Sequence, residues 1–202
     1  MRAEIKQFIE GNILLLDTEQ FSTFYSKVEE DIFADNVKGE ITQVLWDAGI
    51  HPEKYLLDIP KSFAHTCKRV DTVDTMYEHI RSIGNFAFNN SNVTCVDLSK
   101  SSCLSIGYAA FGSCNHLTHV KLPANLECIE DSAFSHCYNL QSINIPAKVT
   151  ELFDTFYNCK SLTDVTFEGT KQQFKDIKKS NMWRKGSGIN EVVCLDGILR
   201  FK

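Results

Sequence analysis

Three cysteines, Cys114, Cys137 and Cys159, recur at a near-constant spacing of 23 and 22 residues, and thiols repeated in this way could bind a soft metal or exchange electrons. Both chemistries need thiolates brought close together in an accessible pocket, and their usual sequence mark, a Cys-x-x-Cys pair, is absent. His116 and His119 lie three apart, but on a strand of period two they would face opposite sides and could not share an ion without a ligand from elsewhere. His136 precedes one of the periodic cysteines and is expected to point outward; His51, next to Pro52, reads as a turn residue before a helix. A basic run, Lys171, Lys175, Lys178, Lys179, Arg184 and Lys185, is interleaved with Phe174 and Trp183 and could track phosphates while rings stack on bases. Lys185-Gly186-Ser187-Gly188 lacks the strand before it and the helix after it that a phosphate cradle requires. No G-x-S-x-G elbow is present, so nothing in the motifs supports catalysis.

The elements that must position these residues are set by a repeat. Phe88, Phe111 and Phe134 sit 23 residues apart, each ending a segment led by Ile and closed by Ala-Phe. A unit of this size cannot bury its own apolar residues and must stack on its neighbours, which makes a solenoid and favours binding over catalysis. A second half-unit follows each of these: Leu117-Thr118-His119-Val120-Lys121-Leu122-Pro123 lines up with Leu140-Gln141-Ser142-Ile143-Asn144-Ile145-Pro146 and with Leu162-Thr163-Asp164-Val165-Thr166-Phe167. The shared form L-x-x-V-x-L predicts narrow strands. Val93, Val96 and Leu98 give a looser copy, and Val70, Val73 and Thr75 a degraded one. In this frame the periodic cysteines fill the interior of successive coils, where a free thiol behaves as a small hydrophobe.

Before the repeats the pattern is helical. Ile5, Phe8 and Ile9, then Phe21, Phe24, Tyr25 and Val28, then Ile41, Val44 and Leu45 each keep to one helical face. After the repeats, Phe174 and Ile177 share a face that would seal the last coil and leave the lysines in solvent, so nucleic-acid binding is disfavoured. The chain has 202 residues, 43% of them hydrophobic, and a net charge of −5 that hides an acidic front and a basic end. Acidic and basic residues at Met1 to Lys6 interrupt any export signal, and no run approaches the roughly 20 apolar residues that span a bilayer. The expectation is a cytoplasmic protein with reduced thiols, no cofactor and no metal.

Ile106-Gly107-Tyr108-Ala109-Ala110-Phe111, Cys114, Leu117, Val120, Leu122 and Pro123 read as one unit that resembles the BspA-type leucine-rich repeat family. The pattern, about I-x-x-x-A-F-x-x-C-x-x-L-x-x-V-x-L-P, returns at Ile129, Ala133, Phe134, Cys137, Leu140, Ile143, Ile145 and Pro146. Phe167-Glu168-Gly169-Thr170 with Phe174, Ile177, Trp183, Val193, Cys194, Asp196 and Gly197 is similar to the family's C-terminal cap, with Phe174 where tryptophan is frequent. The front resembles the helical unit of uncharacterised leucine-rich repeat proteins of gut bacteria and their phages. The resemblance implies an α+β fold: a small helical N-terminal domain over residues 1–66, about four leucine-rich repeats of 22–23 residues over 67–169, and a cap over 170–202.

The implied function is protein–protein interaction without catalysis, through the outward strand positions. Stacking would place Asp74, Asp97, Lys121, Asn144 and Thr166 in one column and Thr72, Cys95, His119, Ser142 and Asp164 in the next. Two other readings are a phage or mobile-element factor that binds and inhibits a host protein, and an enzyme with a site between the helical domain and the first coil.

Overall fold

The computed structural model describes residues 80–201 in full, with the backbone of Asp58–Ile59 and Thr72–Val73. Of the residues expected to form a helical domain, 1–66, only Asp58–Ile59 are described, and they are a strand rather than a helix; the others, including His51, lie outside the described residues, as does Asp74.

Within them the chain is a stack of coils whose alternating strand residues turn inward. Strands β1 (Asp58–Ile59), β3 (Ser82–Ile83), β5 (Ser105–Ile106) and β7 (Cys128–Ile129) form one parallel ladder in that order. Strands β2 (Thr72–Val73), β4 (Cys95–Asp97), β6 (His119–Lys121), β8 (Ser142–Ile145), β10 (Asp164–Phe167) and β12 (Glu191–Cys194) form a second, which β13 (Gly197–Arg200) closes antiparallel to β12. A short pair, β9 (Glu151–Leu152) and β11 (Lys178–Lys179), continues the coil near the C-terminal end. The strands are two to four residues long because each supplies only one side of a coil, and pairing along the stack satisfies their backbone groups.

The L-x-x-V-x-L pattern sets the burial. Leu117, Val120 and Leu122, then Leu140, Ile143 and Ile145, then Leu162, Val165 and Phe167 all lie in one continuous core. The periodic phenylalanines are its axis: Phe88 stacks on Phe111 with centroids 5.1 Å apart, Phe111 on Phe134 at 5.3 Å and Phe134 on Phe156 at 6.1 Å. The first two pairs are parallel to within 2°. At the C-terminal end the column meets Trp183, edge-on at 6.4 Å, which in turn packs against Phe174 and Phe201. These rings seal the end of the solenoid.

Phe174 comes from α1 (Lys171–Asp176), whose start carries a reciprocal cap: Gln173 N–H donates to Thr170 Oγ1 and Thr170 N–H to Gln173 Oε1. Phe174 and Ile177 are buried, as their spacing required. Lys179 departs from the expectation of a solvated lysine. Its Nζ donates to the carbonyls of Phe174 and Ile177 and lies 4.8 Å from the Phe174 ring, satisfying the open end of the helix. Burial lowers its pKa.

The third side of each coil is a turn rather than a strand, and it has its own ladder. Phe86, Phe88 and Asn90 donate their N–H groups to Tyr108, Ala110 and Gly112 of the next coil, while Ala87, Asn89 and Ser91 donate three residues back within their own. The pattern repeats from Ala109, Phe111 and Ser113 to Asp131, Ala133 and Ser135, and again one coil further. Left-handed residues stand at the same two places in every turn: Phe86, Ala109, Ser132 and Asp154 at the first, Asn90, Ser113, His136 and Asn158 at the second. None is glycine, so the backbone cost of this conformation is offset by the inter-coil hydrogen bonds.

Candidate functional site

The outward side of the second ladder is the surface that the sequence singled out. Its register is fixed by backbone pairing: Thr72 opposes Cys95, Cys95 opposes His119, His119 opposes Ser142 and Ser142 opposes Asp164. In the neighbouring column Asp97 opposes Lys121 and Asn144 opposes Thr166, and Thr166 leads on to Val193 of β12. Of Thr72 only the backbone is described. The rest alternate with buried Val96, Val120, Ile143 and Val165 and so point away from the core.

Neighbouring side chains on this face satisfy one another. Lys121 Nζ donates to Asp97 Oδ2 at 2.8 Å, and Ser99 Oγ donates to Asp97 Oδ1 at 2.6 Å. The Lys121 ammonium and, secondarily, Ser99 hold the Asp97 carboxyl down at about 2, and the same contact raises the Lys121 pKa. Further along, Thr166 Oγ1 donates to Asn144 Oδ1 at 2.7 Å, while Asn144 Nδ2 donates to Glu168 Oε1 at 2.6 Å. His119 Nδ1 lies 2.9 Å from Thr118 Oγ1. His116 sits in the turn before β6, and both histidines are exposed without forming an ion site. At the C-terminal end the face becomes apolar, with Val193 and Ile198 opposed across β12 and β13 and Leu195 exposed between them.

The periodic cysteines are inside. Cys114 Sγ donates to the Phe88 carbonyl, Cys137 Sγ to that of Phe111 and Cys159 Sγ to that of Phe134, at 3.1, 3.1 and 3.0 Å. Each thiol therefore ties one coil to the carbonyl of the coil before. Ser91 occupies the equivalent place in the first described coil, its Oγ 3.5 Å from Cys114 Sγ. Burial pushes the Cys137 thiol far up and that of Cys159 up to about 12, which removes these two thiolates from metal binding or redox exchange, whereas hydrogen bonding with Cys137 and then Ser91 lowers the pKa of buried Cys114. Among the described residues no three His, Cys, Asp or Glu side chains gather in a way that could hold a metal ion.

Sequence reasoning passed over a second outward surface on the turn edge. His136 Nδ1 lies 3.0 Å from the Tyr138 hydroxyl, and its ring meets those of Tyr138 and Tyr157 edge-on at 5.8 and 5.3 Å. Lys160 Nζ stands 5.2 Å from the centroid of Tyr138. The available signal was aromatic residues falling at non-core positions between Ala-Phe and the next Leu. Beyond them the terminal coil opens a cleft of about 520 Å³ lined by Lys179, Ser180, Asn181, Trp183, Arg184 and Lys185.

A repeating coil with a parallel strand face, an aromatic column and an in-phase cysteine has a counterpart among known families. The sequence profile of the BspA type leucine-rich repeat region matches in six copies, over residues 53–163 and 81–193. The chain belongs to the BspA-type leucine-rich repeat family. No curated protein matches it. Among solved structures it is similar to a leucine-rich cell surface protein of Faecalibacterium prausnitzii A2-165, at 21% identity and a TM-score of 0.48, over 61% of this chain and 32% of that one. It is also similar to a leucine-rich repeat protein of T. pallidum, at 20% identity and a TM-score of 0.46, over 55% of this chain and 62% of that one. The chain thus spans about a third of the first protein's length and less than two thirds of the second's. Among the described residues no helix is long and apolar enough to cross a membrane.

Proposed function

We propose that this leucine-rich repeat protein is a non-enzymatic protein-binding module that reads its partner with the outward face of the second ladder, through Asp97, Lys121, Asn144, Thr166, His119, Ser142 and Asp164. The observation that carries the reading is the fixed register of these positions: the periodic residues are all core, so recognition is left to the variable ones between them. A ladder spacing of about 4.8 Å makes the face on the order of 20 Å long, enough for part of a standard interface. The free thiols of Cys95, Cys103, Cys114, Cys128, Cys137, Cys159 and Cys194 fit a reducing, cytoplasmic setting.

The test is a triple variant, Lys121→Glu, His119→Ala and Asn144→Ala, compared with the wild type in affinity purification from the native cell. Loss of a specific partner supports the reading; unchanged recovery moves the contact surface elsewhere. A factor that inhibits a host protein would use the same face, and the same variant tests it.

A further inference from the structure

The aromatic and basic residues of the turn edge make a second surface with a different chemistry. On the strand face Lys121 is paired with Asp97, but the lysines here have no carboxylate among the described residues. Lys160 and Lys185 are exposed and, among the described residues, neither has a carboxylate partner. Both are placed by the coil repeat. Lys160 follows Cys159 as Tyr138 follows Cys137, which puts it one coil beyond Tyr138. Tyr157 and Lys185 accept from His136 and Asn158 through successive carbonyls of the turn ladder, which puts Lys185 one coil beyond Tyr157.

The rings are held before any partner arrives. His136 is fixed by its left-handed backbone, its contact with the Tyr138 hydroxyl and its edge-on packing against Tyr157, and the turn ladder holds all three backbones. Rigid, amphipathic tyrosines lose little freedom on binding and are the residue type that anchors interfaces. The cleft that begins at Lys185 adds Asn181, while Lys179 and Arg184 in its wall are tied to backbone carbonyls and contribute charge rather than free donors. One carboxylate lies beside it, Asp154, which accepts from Ser180 Oγ at 2.5 Å.

We propose that the turn edge formed by His136, Tyr138, Tyr157, Lys160 and Lys185 is a docking surface for an acidic, aromatic-containing protein segment. Its apolar side chain lies on the Tyr138 and Tyr157 rings, and its carboxylates pair with Lys160 and Lys185. The positive sign excludes a basic segment. This surface is separate from the strand face and stands or falls independently of it.

The test uses the purified full chain and a fluorescein-labelled twelve-residue peptide of Glu-Glu-Phe repeats, followed by anisotropy. The proposal expects saturable binding that weakens about fivefold in Tyr138→Ala and about tenfold in the double variant Lys160→Glu, Lys185→Glu, with further weakening as salt rises. Tyr138→Phe, which keeps the ring, retains binding, and Lys121→Glu on the strand face leaves it unchanged. Unaltered thermal unfolding of the Tyr138 and Lys160/Lys185 variants separates lost binding from lost structure. Absence of saturable binding by the wild type overturns the proposal, as does equal binding by all variants. Tighter binding of a twelve-nucleotide single strand also overturns it, in favour of a nucleic-acid surface.

Discussion

Replacing Phe111 by leucine separates stacking from burial in the aromatic column. Phe111 is fully buried and stacks on both sides, at 5.1 Å to Phe88 and 5.3 Å to Phe134, with the rings parallel to within 2°. Leucine keeps most of the apolar volume but removes both ring pairs, each worth about 0.5–1.5 kcal/mol beyond the area it buries. The expected loss is therefore about 1–3 kcal/mol, against about 3–5 kcal/mol for Phe111→Ala, which also leaves a cavity. With a urea dependence of about 1–3 kcal/mol per molar, the leucine variant should unfold at a midpoint lower by on the order of 1 M.

The decisive assay is a double-mutant cycle of Phe111→Leu and Phe134→Leu, read by urea denaturation with far-ultraviolet circular dichroism. Direct neighbours in a stack should couple by about 0.5–1.5 kcal/mol. The same cycle between Phe88 and Phe156, which are not neighbours in the column, should show none beyond about 0.3–0.5 kcal/mol. If Phe111 and Phe134 prove additive within that error, the parallel rings contribute area alone, and the column is not what ties one coil to the next.

Three more outcomes follow from the cysteines, the strand face and the coil spacing. With Cys159 at about 12, its thiolate at pH 8 is a fraction on the order of 10⁻⁴, and burial raises Cys137 as well, so these two should resist iodoacetamide until the chain unfolds, while Cys95 and exposed Cys128 react first; peptide mass spectrometry would read the order, and early labelling of Cys137 would contradict it. Because Asp97 titrates near 2 rather than 3.8, its contribution is complete above about pH 4 and is lost as pH falls through 2; Asp97→Asn should leave a protein whose denaturation midpoint varies less between pH 5 and 2.5 than that of the wild type. A Cβ on Gly107 would come within 2.8 Å of the Gly84 backbone carbon, so Gly107→Ala should lower the urea midpoint by the equivalent of about 1–3 kcal/mol, and an unchanged midpoint would show that adjacent coils can separate.

The solenoid was legible because its cause is local and repeated. Apolar residues at L-x-x-V-x-L positions leave one inward face, and the one-coil period then fixes which strands pair; Val120 opposes Ile143 and Ile143 opposes Val165 as the sequence phase requires. The interior place of Cys114, Cys137 and Cys159 followed from the same phase. The turn ladder did not. Its left-handed positions hold Phe86, Ala109, Ser132 and Asp154, residue types with no shared preference for that backbone, because hydrogen bonds to the next coil select the conformation. Lys179 was misjudged for a related reason: a lysine three residues beyond the end of a helix can be solvated or can turn back on its carbonyls, and only the packing of Phe174 decides.

The two outward surfaces differ in what they demand of a partner. On the strand face, Asp97 with Lys121 and Asn144 with Thr166 and Glu168 are already paired. A partner there must either break those contacts or cover them while adding bonds to their remaining lone pairs, so a single residue gains little and specificity must be distributed across both columns. Among the described residues the exposed lysines of the turn edge have no carboxylate to give up, Lys160 Nζ touching only the Tyr138 ring, and the tyrosines beside them are already ordered. Charge removal should therefore act differently on the two: Lys121→Glu places two carboxylates opposite each other and disturbs the face itself, whereas Lys160→Glu leaves the fold unchanged and shows its effect only in binding. The unfolding midpoints of these two variants, measured without any ligand, distinguish a self-paired surface from one left open for recognition.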